Sequence, residues 1–485
     1  MSEIYSQSDA TGLAALVAKD EVTADELLTE ALERTAAWNP KLNAIVHVQE
    51  DVARAKIAEG LPQGPFSGVP FLIKDLGIEA VDFPTNNGSK LCEGMRWSYD
   101  STLLTRFRAT GLNAFARTTS PEFGIGPVTN AGVYGGPTRN PWNLDHTPGG
   151  SSGGTGAAVS AGIVPAAHGS DGGGSIRIPA ASCGLVGFKA TRARIPMGPV
   201  ASEGWGGMAI DGVLSRSLRD TAALLDAVAG PELGAPYAAP VMEESFAQAM
   251  AHDPGQLRIR YVTTSFTGDA LHPDCVAGVE KAAKLMEDLG HVVEHWTPEE
   301  ALDVPAMMMA WTKIVACGTA GRVQKILGDR KLERGMVDGV TFGAVEYSKR
   351  VSGADYLDAL GAVHSFGRRM AHAFDTCDII LSPTLATPPC RADYLAPVSE
   401  DFVAYRNGPG SVFEYSPFTA IFNASGQPAV SLPLHWSADN LPVGIHFAAP
   451  FGMDAELMSL CGQIERAAPW AAKQQEVIAR GPDGV

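Results

Sequence analysis

The chain has no surplus of positive charge. In 485 residues, 37 lysines and arginines face 54 aspartates and glutamates, for a net charge of −17. Nucleic acid and anionic membrane surfaces both need basic patches, so neither is expected as a partner. No apolar run approaches the length needed to span a bilayer. The opening residues, MSEIYSQSDATGLAALVAKDE, lack a basic segment followed by an apolar one, so no secretory leader is expected. The seven cysteines (Cys92, Cys183, Cys275, Cys317, Cys377, Cys390 and Cys461) are odd in number and scattered, with no C-x-x-C. Reduced thiols and a cytoplasmic location are expected, not a disulfide frame.

Several signatures of cofactor and metal chemistry are missing too. The glycine cluster at 149–154 lacks the lysine of a phosphate-binding loop. Gly124-Ile125-Gly126-Pro127 lacks the third glycine of a dinucleotide fingerprint, and its proline spoils a helix start. His291 and His295 are four apart, but in a segment that reads as strand, and no H-E-x-x-H exists. Neither a metal nor a cofactor is expected.

What is present is an ordinary globular balance, 45% hydrophobic and 19% charged, with material for a large core. Residues 9–19 read as a helix. Thr23-Ala24-Asp25-Glu26 is a capping box opening another, which Asn39-Pro40 should stop. A strand is expected over 42–48 and a helix over 51–59. Proline and glycine then bracket an apolar strand at 69–73 that delivers Lys74. Burial there should lower the lysine's pKa; the plainer alternative is a lysine paired with Asp75. Helices are expected at 100–110, 153–162, 178–183, 218–228 and 274–289, and strands at 113–116, 164–167, 257–262, 292–294 and 378–382. This alternation predicts an α/β protein with a mixed sheet flanked by helices. Residues 296–372 carry long helical patterns. Residues 384–420 read as a long loop and a short helix, a wall or lid.

The densest glycine and serine stretch spans 147–191 and contains two knots. One is Gly149-Gly150-Ser151-Ser152-Gly153-Gly154; the other is Asp171-Gly172-Gly173-Gly174-Ser175-Ile176-Arg177. Glycine at this density lets backbone approach a ligand closely, and each knot presents a serine. The pair suggests amide N–H groups aimed at an oxyanion with a hydroxyl beside them. With Lys74-Asp75 upstream and Phe422-Asn423-Ala424-Ser425-Gly426-Gln427-Pro428-Ala429 downstream, the chain resembles the amidase signature family. The matches occur in that family's order over almost the whole chain.

The resemblance implies one domain over 1–485, a signature core at about 64–230 and a variable helical pocket region at about 296–420. It implies a central mixed β-sheet with α-helices on both faces. It also implies a Ser–cisSer–Lys triad: Ser175 as nucleophile, Lys74 as base, and Ser151 relaying protons from a cis Gly150–Ser151 bond. Amides of Gly172, Gly173, Gly174 and Ser175 would form the oxyanion hole, with Ser152, Asp171 and Arg177 holding the turns. Candidate pocket residues are Thr129, Asn130, Met307, Trp311 and Cys317, each with loop capping or helix packing as the plainer reading. One departure stands out: the family usually has a bulky residue after the aspartate, where this chain has Gly172. That absence is expected to widen the acyl side of the pocket or loosen the turn.

The implied activity is hydrolysis of an amide C–N bond in a hydrophobic small molecule through an acyl-enzyme. A lactam, carbamate or ester is an option, because each passes through a tetrahedral oxyanion. Within the family, Ala166-Ala167-His168-Gly169 and Arg177-Ile178-Pro179-Ala180 resemble bacterial amidases of the type that open 6-aminohexanoate cyclic dimer. The alternatives are the amidase subunit of a glutamine-dependent tRNA amidotransferase and a non-catalytic ligand-binding scaffold. The expected partner is a small-molecule amide; a homodimer is left open.

Overall fold

The computed structural model describes residues 1–485. Its centre is an eight-stranded mixed sheet. In spatial order the strands are Val292–His295, Arg258–Tyr261, Ile379–Pro383, Pro442–Ala448, Ala429–Trp436, Val186–Lys189, Ile210–Ser215 and Ala166–Asp171. The first three run parallel, and every later neighbour pairs antiparallel.

Side chains along these strands alternate between two apolar layers, as a period of two demands. Ile379, Leu381, Val430 and Phe447 join one cluster, with the helices Leu218–Val228, Pro273–Asp288 and Asp454–Ala467. Ile380, Ala429 and Ala448 join the other, with Val304–Leu327 and Gly353–Ala373. Helices therefore cover both faces of the central strands. A smaller sheet pairs Ile45–Val46 antiparallel and Pro70–Lys74 parallel to Asn113–Thr118. All five residues of Pro70–Lys74 are buried, so the strand that ends on Lys74 carries it into the interior.

Several local expectations change. Pro40 does not stop its helix, which runs from Ala24 to Leu42. Asn43 ends it in the left-handed region (φ 49°), and the Asn39 side chain takes the Ala44 and Ile45 amides. Proline lies in the last turn, where little of the hydrogen-bond ladder remains to lose. The expected strand at 42–48 shrinks to Ile45–Val46 because that cap occupies its start. The 384–420 segment holds two short helices of its own, Phe402–Asn407 and Val412–Tyr415, before Thr419–Ala424.

Phe188 is 1% exposed in a central strand and packs edge-on against Phe246, with ring centroids 5.7 Å apart. Phe188→Ala is expected to destabilise the protein by about 3–5 kcal/mol. A denaturant midpoint close to that of the parent would contradict this placement of the core.

Candidate active site

Three segments meet at the carboxyl end of Pro70–Lys74. The first supplies Lys74, fully buried. Its backbone is held on both sides: the Lys74 N–H donates to His168 Nδ1 (3.2 Å), and Arg117 donates to the Lys74 carbonyl (2.9 Å). Because His168 Nδ1 accepts, its proton sits on Nε2, which faces Asp211 Oδ1 at 3.1 Å. Burial lowers the His168 pKa, so the ring is neutral.

The Lys74 side chain does not pair with Asp75. That carboxylate is taken up by Thr85 Oγ1, the Asn86 amide and the Tyr134 hydroxyl. Lys74 Nζ instead donates to Ser151 Oγ (2.7 Å) and Ser170 Oγ (2.9 Å). Burial pushes its pKa down from 10.5 to about 7, against weaker upward pulls from Asp211 and Asp171. At neutral pH a large fraction is therefore the free amine.

The second segment is the first glycine knot. The Gly150–Ser151 peptide bond is cis. Thr129 holds this turn: its hydroxyl donates to the Gly149 carbonyl (2.9 Å) and accepts from the Gly153 amide (3.1 Å). Ser152 ties the two knots together through its amide to the Ser175 carbonyl (3.2 Å) and its hydroxyl to Ser170.

The third segment is the turn at 171–175. Asp171 is fully buried. Burial would raise its pKa, but Arg177 and Asn423 override this and hold the carboxyl well below the usual range. Arg177 donates through Nε (2.9 Å) and Nη2 (3.0 Å), and Asn423 donates through Nδ2 (2.9 Å). Asp171 also accepts the Gly174 amide (2.6 Å). Gly174 is therefore corrected as an oxyanion donor, since its N–H is committed to the carboxylate. The amides of Gly172, Gly173 and Ser175 have no acceptor in the protein.

Ser151 and Ser175 line one cavity of about 170 Å³, together with Leu76, Phe123, Trp205, Ile210, Asp211 and Arg322. Ser175 Oγ makes no hydrogen bond to protein, so the Lys74–Ser151 half of the expected relay is joined and the Ser151–Ser175 half is open. Such contacts often tighten only when substrate is bound.

Gly172 does not enlarge this cavity. A Cβ there would lie 2.6 Å from the Trp205 ring, so the tryptophan occupies the space that a side chain would fill. Trp205 itself sits at φ 49° among glycines. A Cβ on Gly173 would lie 2.3 Å from Trp311. Trp311 thus backs the turn instead of lining the cavity, and the Arg406 guanidinium stacks 3.9 Å from its centroid.

The other pocket expectations are corrected similarly. Thr129 supports the knot. Asn130 lines a separate cavity with Lys90 and Asp338. Met307 is 1% exposed in the core. Cys317 lies outside the lining, although its neighbours Gly318 and Thr319 line it. His291 faces Gln463 and His295 faces Thr263. Sequence reasoning missed Ser170, Asp211, Trp205 and Arg322. The Phe422-Asn423 match carried a signal for Asn423 but no role.

The amidase family model matches residues 26–458, and the chain belongs to the amidase signature family, hydrolases of amide C–N bonds. The chain is 35% identical to 6-aminohexanoate-cyclic-dimer hydrolase of Paenarthrobacter ureafaciens, over 99% of this chain and 98% of that protein. The structure of 6-aminohexanoate cyclic dimer hydrolase complexed with substrate superposes with a TM-score of 0.90 at 33% identity, covering 98% and 99% of the two chains. A bacterial aryl acylamidase of the same family superposes at 0.87 with 27% identity, covering 98% and 99%.

Gly173→Ala is expected to drive the turn away from Trp311 and slow amide turnover by about 10²–10³-fold, the scale of losing one oxyanion donor. Gly361→Ala, where a Cβ meets nothing within 4 Å, should leave turnover unchanged. Equal rates for the two variants would contradict this packing.

Proposed function

We propose that the protein hydrolyses small-molecule amides through a Ser175–Ser151–Lys74 triad and an acyl-enzyme. The observation that carries this reading is the 2.7 Å contact between a fully buried Lys74 amine and Ser151, which lines the same cavity as Ser175.

The neutral amine keeps one N–H on Ser170 Oγ and turns its lone pair to the Ser151 hydroxyl. Ser151 passes its proton to Lys74 and takes that of Ser175 as Ser175 Oγ attacks the carbonyl. The amides of Gly172, Gly173 and Ser175 receive the oxyanion. Collapse expels the amine, which takes the proton back from Ser151, while Lys74 returns its proton to Ser151. Water then cleaves the acyl ester by the same route and releases the acid. Asp171, Arg177 and Asn423 hold the turn without touching the reacting atoms.

Leu76, Phe123, Trp205 and Ile210 give the cavity an apolar wall, which suits aryl or alkyl amides and lactams. The likeness to the cyclic-dimer hydrolase and the aryl acylamidase supports the same class. Carbamates and esters fit the same chemistry as side activities. Seven free cysteines support a cytoplasmic setting, and no helix is long and apolar enough to cross a membrane.

Ser175→Ala is expected to lose turnover of acyl anilides and the single fluorophosphonate adduct while melting as the parent does. Near-parental rates would remove Ser175 as nucleophile, and hydrolysis of glutamine alone would favour the amidotransferase reading. The pH profile of kcat/KM should rise with one group near 7 as Lys74 loses its proton, falling about tenfold per unit below it. A midpoint close to the ordinary 10.5 of lysine would exclude Lys74 as a neutral base.

A further inference from the structure

We infer that Arg322 is a carboxylate-binding residue of the catalytic cavity, so that the substrates it favours are open-chain amides carrying a carboxylate. The inference rests on the amidase reading above and adds a substrate class to it.

Arg322 lies on the helix Val304–Leu327 and lines the cavity that holds Ser151 and Ser175. A guanidinium carries five N–H donors in a planar fork. Here one is used: Nη2 donates to Asn87 Oδ1 at 3.1 Å. The group rests against the Phe123 ring, 5.8 Å from its centroid, and Phe123 also lines the cavity. No carboxylate forms an ion pair with it.

Three buried arginines near the site differ. Arg177 is bound to Asp171, Arg194 to Asp454, and Arg117 to the carbonyls of Lys74 and Ile78. Asp211, the carboxylate of the same cavity, is bound to His168. Arg322 is half-buried, and apart from the bond to Asn87 its N–H groups have no acceptor in the protein. A bidentate carboxylate matches the unused fork in both charge and shape. A neutral cyclic amide supplies no such charge; a linear amide ending in an acid does.

The test is calorimetric titration of the Ser175→Ala protein with hexanoate and with hexanamide, which differ only in the acid group. Hexanoate is expected to bind about ten- to a hundredfold more tightly, the scale of a charged hydrogen-bonded pair. That preference should vanish in Ser175→Ala/Arg322→Gln and return in part in Ser175→Ala/Arg322→Lys. Equal affinities, a preference that survives Arg322→Gln, or no binding of either compound would overturn the inference. Because no turnover is read, these outcomes leave the amidase reading to the Ser175 labelling experiment.

Discussion

The Lys74 ammonium has no carboxylate to sit against, and much of the site is built around that fact. Three acids stand near it, and each is held by another partner. Asp75 takes Thr85, Asn86 and Tyr134; Asp211 faces His168; Asp171 is bound by Arg177 and Asn423. Two hydroxyls are what remain for Nζ. Burial without an ion partner favours the uncharged form of an amine, so the same arrangement that isolates Lys74 brings its pKa down to about 7 and suits the proposed role of base. Had Asp75 closed on it, the pair would have kept the proton and left Ser151 without an acceptor.

A second constraint holds Ser175, the proposed nucleophile, in place. Asp171 gathers the Gly174 amide and Arg177 from its own turn and Asn423 from a segment far along the chain. Lys189 lies behind this cluster, also fully buried, and burial followed by the charge of Arg177 brings its pKa to about 7 as well. Two lysines near neutral pH are thus present, but Lys74 alone contacts the serines. The aromatic rings of Trp205 and Trp311 press where Gly172 and Gly173 lack side chains. The glycines of this turn are needed as much for that packing as for any backbone freedom.

The sequence exposed the parts that local pattern can carry. The apolar strand ending on Lys74 was legible because both faces are buried, giving an unbroken apolar run. The capping box at Thr23 was legible because its bonds span three residues. The glycine knots were legible by resemblance, with the cis bond among their implications. What escaped depends on contacts across the fold. Asp211 sits on an ordinary-looking strand and reaches the site only through sheet pairing with Ala166–Asp171. Arg322 lies in a long helical pattern that singles out no individual residue. Gly172 read as an empty place because nothing near it in sequence shows that Trp205 fills it. Pro40 misled because its effect depends on its distance from the end of the helix, which is set by the Asn39 and Asn43 cap.

The most direct measurement of the account is the NMR titration of the Lys74 Cε resonance in the folded protein, assigned by its loss in Lys74→Arg and separated from Lys189 by Lys189→Arg. The account predicts a midpoint near 7. A midpoint near the ordinary 10.5 of lysine would contradict it, because Lys74 would then stay charged wherever the protein is expected to act.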